Sequence, residues 1–417
     1  MAKNIYNSSE YYDLLTVSSM MGSLPSIRGQ WFFVDPLTGS DTTGDGQQIS
    51  TAFASLPAAY AACTDGNGDG ICLLSSGSTT ASTTSYLVQT LVWAKNGITL
   101  FGVCANNGIY QRARVASKDI TSSTGTAHLT FTTTTATRSD AGGSFIADGW
   151  VIGMTGVVAS SGGNSQNNGV IFTVTGVTAL TLSASAAPFT ADATPTNEVA
   201  FMYSYIAQLV SITSANNLFQ NVSFENVGAQ AQAIGGIILT GAQRNQFNNV
   251  FVYGGGGCTA VATTRSLEIG AGSNENYFFD STIGTDTVDR GNYANAEIYI
   301  NADTTTGRNY FYNCWILSMT STGTAHGAIK SAGAAAYGRH LLFENCVFVN
   351  YTPNLGADQT SLFIGTGFNT AKILLVNTSI CGYAYADSST TNKCVYTQGG
   401  PTILTTGLGG VMVTKTT

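Results

Sequence analysis

Asn217-Leu218-Phe219-Gln220-Asn221-Val222-Ser223-Phe224 is the first of six related octapeptides in the second half of the chain. It returns at residues 245–252 as Asn245-Gln246-Phe247-Asn248-Asn249-Val250-Phe251-Val252, and again at 276–283, 309–316, 341–348 and 373–380. The central Asn or Asp of each copy is Asn221, Asn249, Asp280, Asn313, Asn345 and Asn377, at steps of 28, 31, 33, 32 and 32 residues. A period in this range is the mark of stacked supersecondary units.

Two before the anchor stand Phe219, Phe247, Phe278, Phe311, Phe343 and Leu375; three after it stand Phe224, Val252, Ile283, Ile316, Phe348 and Ile380. Strand side chains alternate faces, so a strand, a polar corner and a second strand send both apolar sets into one interior. One coil cannot bury that face alone, whereas coils stacked about 4.8 Å apart can. A further strand aligns in most copies: Ile237-Ile238-Leu239, Leu267-Glu268-Ile269, Ile298-Tyr299-Ile300, Leu362-Phe363-Ile364 and Cys394-Val395-Tyr396. The pattern predicts an all-β chain, a right-handed single-stranded parallel β-helix. Its six anchors are expected to form an internal structural ladder.

The chain has 417 residues, of which 9 % are charged, against a usual share of about 25 %. A net charge of −7 argues against nucleic acid, which calls for basic stripes. No apolar run of about 18 residues exists to span a membrane, and the first residues lack the apolar core of a secretory signal. The eight cysteines form no CxxC pair or Cys/His cluster. Cys314 and Cys346 share one repeat position and read as small buried thiols; Cys63 with Cys72, or Cys381 with Cys394, could close if oxidised. No cofactor is called for.

Taken in order, residues 1–30 read as an extended arm suited to attachment. Residues 31–124 hold the cap and first coils: Trp31-Phe32-Phe33-Val34, a Gly-Ser-Asp turn, an Ala-rich segment at 51–62 expected to be a short capping helix, then Ile71-Cys72-Leu73-Leu74 and Gly97-Ile98-Thr99-Leu100-Phe101-Gly102. Residues 125–201 break the coil rhythm. Stretches such as Gly143-Ser144-Phe145-Ile146-Ala147-Asp148-Gly149-Trp150, Ile171-Phe172-Thr173-Val174 and Leu180-Thr181-Leu182 are expected to be short strands of a small inserted antiparallel β domain. Residues 202–417 carry the main β-helix and closing strands.

The entry motifs at 31–102 resemble those of pectin-lyase-like β-helices of bacteriophage proteins. The 143–182 stretch is similar to a small β domain recurrent in phage tail and virion proteins. The resemblance implies a structural protein on the exterior of a tailed-phage particle, a capsid decoration, head fibre or short spike made in the host cytoplasm. It further implies a homotrimer, attachment to other virion proteins through the arm, and contact with host glycan. The alternative is a tailspike-type depolymerase, a glycoside hydrolase or lyase acting on bacterial surface glycan. A bacterial adhesin would want a signal peptide.

A glycosidase needs two carboxyls roughly 5–9.5 Å apart. Glu268 and Glu297 are the candidates, read as outward residues of successive coils, with Arg265 and Asp303 placed to tune them. Ile238, Ile329 and Phe363 fall near the same line and suggest a subunit contact instead. Tyr293, Tyr299, Tyr312 and Trp315 are candidates for stacking on sugars or for an interface. Asp65, Asn67 and Asp69 match the first half of a calcium loop, but Ser76 occupies the place of its closing Glu, which favours a plain turn. His128, His326 and His340 are read as loop or surface residues.

Overall fold

Each octapeptide folds as two short strands joined at its anchor, by one residue in the first copy (Leu218–Gln220 and Val222–Glu225 around Asn221) and by two in the other five. All six anchors adopt a left-handed backbone, with φ between 47° and 55°. That conformation suits Asn and Asp among residues with a side chain. It also turns each anchor N–H toward the next coil: Asn221 donates to Asn248 O at 3.0 Å, Asn249 to Phe279 O at 2.9 Å and Asn313 to Glu344 O at 2.9 Å. The repeat therefore registers coil on coil at the five corners from Asn221 to Asn345.

The computed structural model describes residues 24–75, 84–104, 112–122, 129–139, 142–160, 166–191, 200–256, 261–291, 293–301, 307–320, 325–331, 340–351, 361–364, 372–383, 385–387 and 395–398. The first 23 residues of the expected arm, the closing stretch after 398, Cys258, Cys394, Asp303 and His128 lie outside them. Three parallel sheets form the right-handed shaft. The first has ten strands, from Trp31–Val34 to Val395–Gln398; the second and third have eight each. The second receives the strand after each anchor, and the third holds Gln208–Ile212, Gly235–Leu239, Arg265–Gly270, Ala296–Asn301, Gly327–Ser331 and Ser361–Ile364.

The interior is filled in columns. Phe219, Phe247, Phe278, Phe311 and Phe343 stack face to face, with centroids 4.4–4.9 Å apart and planes within 12°. Trp93 closes the N-terminal end of the stack, 5.0 Å from Phe219. Phe224, Val252, Ile283, Ile316, Phe348 and Ile380 line the adjoining wall and are buried. Burying one such side chain contributes roughly 1.5–3 kcal/mol, so the columns are the main source of cohesion between coils.

Two details of the cap and insert differ from expectation. The capping helix is Leu56–Ala62 and not 51–62, because Ser55 accepts the Ala58 N–H as N-cap and Pro57 occupies the first turn. The antiparallel sheet has seven strands, running from Thr121–Ser122 to Ala200–Tyr205. It encloses a separate core of Phe131, Phe145, Trp150, Phe172, Leu182 and Met202 with their neighbours. Within it, Phe145–Asp148 is a single helical turn and not a strand, held by the Ser144 cap and by Gly149 at φ 98°.

The third sheet also corrects the alignment. Ile238, Glu268, Tyr299 and Lys330 share the outward column, while Ile329 and Phe363 face the interior. In a strand, a slip of one residue exchanges the faces. Val395–Gln398 pairs with Lys372–Val376 in the first sheet, so Cys394-Val395-Tyr396 does not belong to the third.

Candidate functional site

Glu268 and Glu297 do lie on one side of successive strands, since Glu268 stands opposite Tyr299 and Leu267 opposite Ile298. Neither is a free carboxylate. Glu297 is fully buried and accepts from Arg290 Nε at 2.8 Å and Nη2 at 2.9 Å, and from Ser266 Oγ at 2.6 Å. Arg290, equally buried, also donates to Gly254 O and Gly255 O. Glu268, 2 % exposed, pairs with Arg265 and accepts from Asn301 Nδ2 at 2.9 Å. The expected outward pair in an open groove is thus two buried salt bridges. The connections between the second and third sheets close over Glu297, through Arg290 and the carbonyls of Gly254 and Gly255, whereas Glu268 is held by Arg265 of its own strand and by Asn301. Arg290 could not be anticipated as a partner because it sits in a connection.

His326 is a loop residue, just before the strand Gly327–Ser331, but a buried one in the same region and not on the surface. Its Nδ1 is 2.6 Å from Asn295 Oδ1, and burial together with the nearby Arg290 charge lowers its pKa to about 3. It is held neutral at ordinary pH. Nearby, Ser318 Oγ and Tyr383 Oη are 2.7 Å apart in a second buried polar group, with Asn350 and Thr320.

The candidate aromatics separate. Tyr299 has two cations over its ring, Arg265 at 5.4 Å and Lys330 at 5.6 Å from the centroid. Tyr293, Tyr312 and Trp315 are exposed. Tyr312 and Trp315 flank the Asn313 corner and so stand on the outer faces of different sheets. Ile238 is partly buried in the column of Glu268, directly opposite it.

The Asp65, Asn67, Asp69 loop is knitted into its surroundings. Asp65 Oδ1 accepts from the Asn96 N–H and Nδ2; Asp69 accepts from the N–H groups of Gln30 and Thr64 and from Asn67 Nδ2. Burial alone would raise the Asp69 pKa, but these donors bring it below the usual value. Arg28 covers the carbonyls of Gly66 and Asn67. The carboxylates act as turn staples.

The anchors form the expected ladder, each of Asn221, Asn249, Asp280, Asn313 and Asn345 donating its N–H to the next coil, with Asn249 Nδ2 reaching Asn221 at 2.9 Å and Asn313 Nδ2 reaching Asp280 at 2.6 Å, but it runs along surface corners. The buried ladder lies four residues earlier. Asn217, Asn245, Asn276 and Asn309 are sealed from solvent, and each Nδ2 reaches the next Oδ1 at 2.9–3.0 Å. Beside it, Ser281, Cys314, Cys346 and Thr378 form a hydroxyl and thiol column, each donating to a carbonyl of the preceding coil. Cys314 and Cys346 are free and buried, as are Cys63 and Cys72.

A groove was not foreseen. A cleft of about 390 Å³ opens at the entry to the first sheet, lined by Asn216, Asn217, Leu218, Arg244, Gln246, Glu275 and Tyr277. Arg244 Nε donates to Glu275 at 2.8 Å, and Arg308 Nη1 approaches the same carboxylate at 3.3 Å. The Tyr277 ring stacks on Tyr310 at 5.0 Å.

Comparison with solved structures finds several similar chains. A pectin methylesterase in complex with a hexasaccharide aligns over 94 % of both chains at 11 % identity, with a TM-score of 0.43. An alginate lyase from Paenibacillus aligns over 85 % of this chain and 95 % of its own, at 12 % identity and a TM-score of 0.38. The tailspike protein of Pseudomonas phage LKA1 aligns over 78 % and 68 %, at 12 % identity and a TM-score of 0.25. The right-handed parallel β-helix rests on the strand pairing of the three sheets themselves. At these identities the likeness concerns fold alone. No protein-family model matches the chain, and no curated protein matches it. Among the described residues, no helix is long and apolar enough to cross a membrane.

Proposed function

We propose that the chain is a structural β-helix on the exterior of a tailed-phage particle, and that it holds glycan without cleaving it. The observation that carries the non-catalytic reading is the burial of Glu268 and Glu297 in arginine pairs. Acid–base cleavage of a glycosidic bond needs two carboxyls that face the substrate, one of them protonated. Both of these acids instead face arginine and are buried. The placement on a particle is supported by the entry motifs at 31–102 and the insert pattern at 143–182. On this reading the N-terminal arm attaches the shaft to other virion proteins, three copies associate about the shaft axis, and exposed Tyr312 and Trp315 serve glycan or subunit contacts.

Two measurements test the reading. Purified protein incubated with bacterial capsule or O-antigen should release no new reducing ends and no unsaturated products. Release that disappears in Glu268→Gln would overturn the proposal in favour of a depolymerase. Mass-spectrometric analysis of purified particles should find the chain as a stoichiometric component, in multiples of three, and a stable monomer in sedimentation would count against the trimer.

A further inference from the structure

The two left-handed corners of each coil differ in a way that the fold does not require. At the anchor corner all six residues are Asn or Asp. At the corner preceding the first sheet the left-handed residues are Asn216, Arg244, Glu275 and Arg308, with φ of 60°, 54°, 57° and 53°. The backbone need is the same in both: the Arg244 N–H donates to Asn274 O and the Glu275 N–H to Arg308 O in the next coil. Asn or Gly meets that need with least strain, whereas long charged side chains at positive φ are uncommon. Their presence on three successive coils calls for a reason outside the turn.

The cleft supplies one. Along the outer column of the first sheet, Leu218, Gln246, Tyr277 and Tyr310 stand in register. Tyr310 stacks on the Tyr277 ring, and Tyr277 lines the cleft together with Gln246, its neighbour on the preceding coil. The floor and sides thus combine an aromatic face, the amides of Asn216 and Gln246, one carboxylate and a guanidinium. Few convergent polar groups around an aromatic wall are the usual makings of a small-ligand site. Arg244 uses its Nε for Glu275 and is 60 % exposed, so its terminal nitrogens point to solvent. Glu275 stands between two arginines, which leaves this corner with an excess of one positive charge on a chain of net charge −7.

From this we infer that the cleft binds an acidic saccharide: the pyranose ring lies on Tyr277, its hydroxyls meet the two amides, and its carboxylate meets Arg244. A planar guanidinium fork matches a carboxylate in geometry as well as charge. The inference rests on the glycan-binding half of the proposed function and names the ligand class and place. It is independent of where on a particle the chain sits.

The test is binding of wild-type protein to a panel of oligosaccharides containing galacturonate, glucuronate or sialate, beside neutral oligosaccharides of equal length, by microarray and then calorimetry. Acidic members should bind at least tenfold more tightly than their neutral counterparts. Tyr277→Ala should weaken binding at least tenfold, and Arg244→Gln should abolish the preference for acid. Glu275→Gln, by removing the competing anion, should strengthen acidic binding, an effect that a merely structural role would not produce. All three positions are on the surface, and unchanged circular dichroism and melting would establish that the variants fold. Acidic binding untouched by the three variants would overturn the cleft and leave glycan binding standing. Equal binding of neutral sugars would overturn the acidic assignment. Binding to no member of the panel would overturn both this inference and the glycan-binding reading.

Discussion

Replacing Asn245 by Ala tests which asparagine column holds the shaft together. Asn245 is fully buried; its Oδ1 accepts from the Asn217 N–H at 3.0 Å and Nδ2 at 2.9 Å, and its Nδ2 donates to Ser214 O at 2.9 Å and to Asn276 Oδ1 at 3.0 Å. In the variant, Asn217 Nδ2 keeps Ser214 Oγ, and Asn276 Oδ1 keeps the backbone N–H of residue 245. The Asn217 N–H and Ser214 C=O lose these partners. Each buried group left unmet costs about 1–3 kcal/mol, so the loss should be about 4 kcal/mol. The comparison is Asn313→Ala at an exposed anchor. There the cost is the left-handed backbone at φ 53°, about 1–2 kcal/mol, and Asn313→Gly should recover most of it. Guanidinium unfolding followed by tryptophan fluorescence is a suitable assay, because Trp93 rests on Phe219 at the end of the stack. Equal losses for the two Ala variants, or a larger one at Asn313, would refute the division between interior ladder and surface corner.

The aromatic column should be equally sensitive: Phe278→Ala, between Phe247 at 4.4 Å and Phe311 at 4.7 Å, is expected to cost about 3–5 kcal/mol in the same unfolding measurement. Glu297→Gln leaves the buried Arg290 uncompensated and should cost about 3–5 kcal/mol. Joint replacement by Arg290→Met and Glu297→Leu should recover much of that, and a neutral effect of Glu297→Gln alone would show the pair to be dispensable. The pH dependence follows from His326, whose folded pKa is lowered from 6.5 to about 3 by burial and then by Arg290, with Asp289 opposing. Between those values the unfolded chain binds a proton that the folded chain refuses, so this contribution is full above about pH 6.5. It falls by up to about 1.4 kcal/mol per unit as pH drops toward 3. His326→Gln should flatten that slope in melting curves taken from pH 7 to pH 4.

The sequence made the shaft legible because its period and its alternation are local properties. Phe at two before the anchor and an aliphatic or Phe at three after it lie in one octapeptide, and six copies fix the register. Single-residue offsets were less legible. Ile329 and Ile364 could each be placed in or out by sliding one position, and only pairing across coils decides it. The two Asn columns were both visible in the repeat. Their roles were not, since one residue type serves a left-handed surface corner for its backbone and a buried ladder for its amide.

The same distinction explains why the candidate chemistry dissolved while another site came into view. Outward parity on a strand does not mean exposure when the chain folds back over the sheet, and Glu268 and Glu297 have outward parity and no access to solvent. Arg290 reaches Glu297 from the connection, where periodicity predicts nothing. Conversely, nothing in the sequence singles out Arg244, Glu275 and Arg308, because a positive φ leaves no unambiguous trace there. Only the stacking of corners shows that three charged side chains occupy a place where the fold asks for an Asn. What a repeat dictates at every coil is scaffold, and a departure from it that costs strain is where function should be sought.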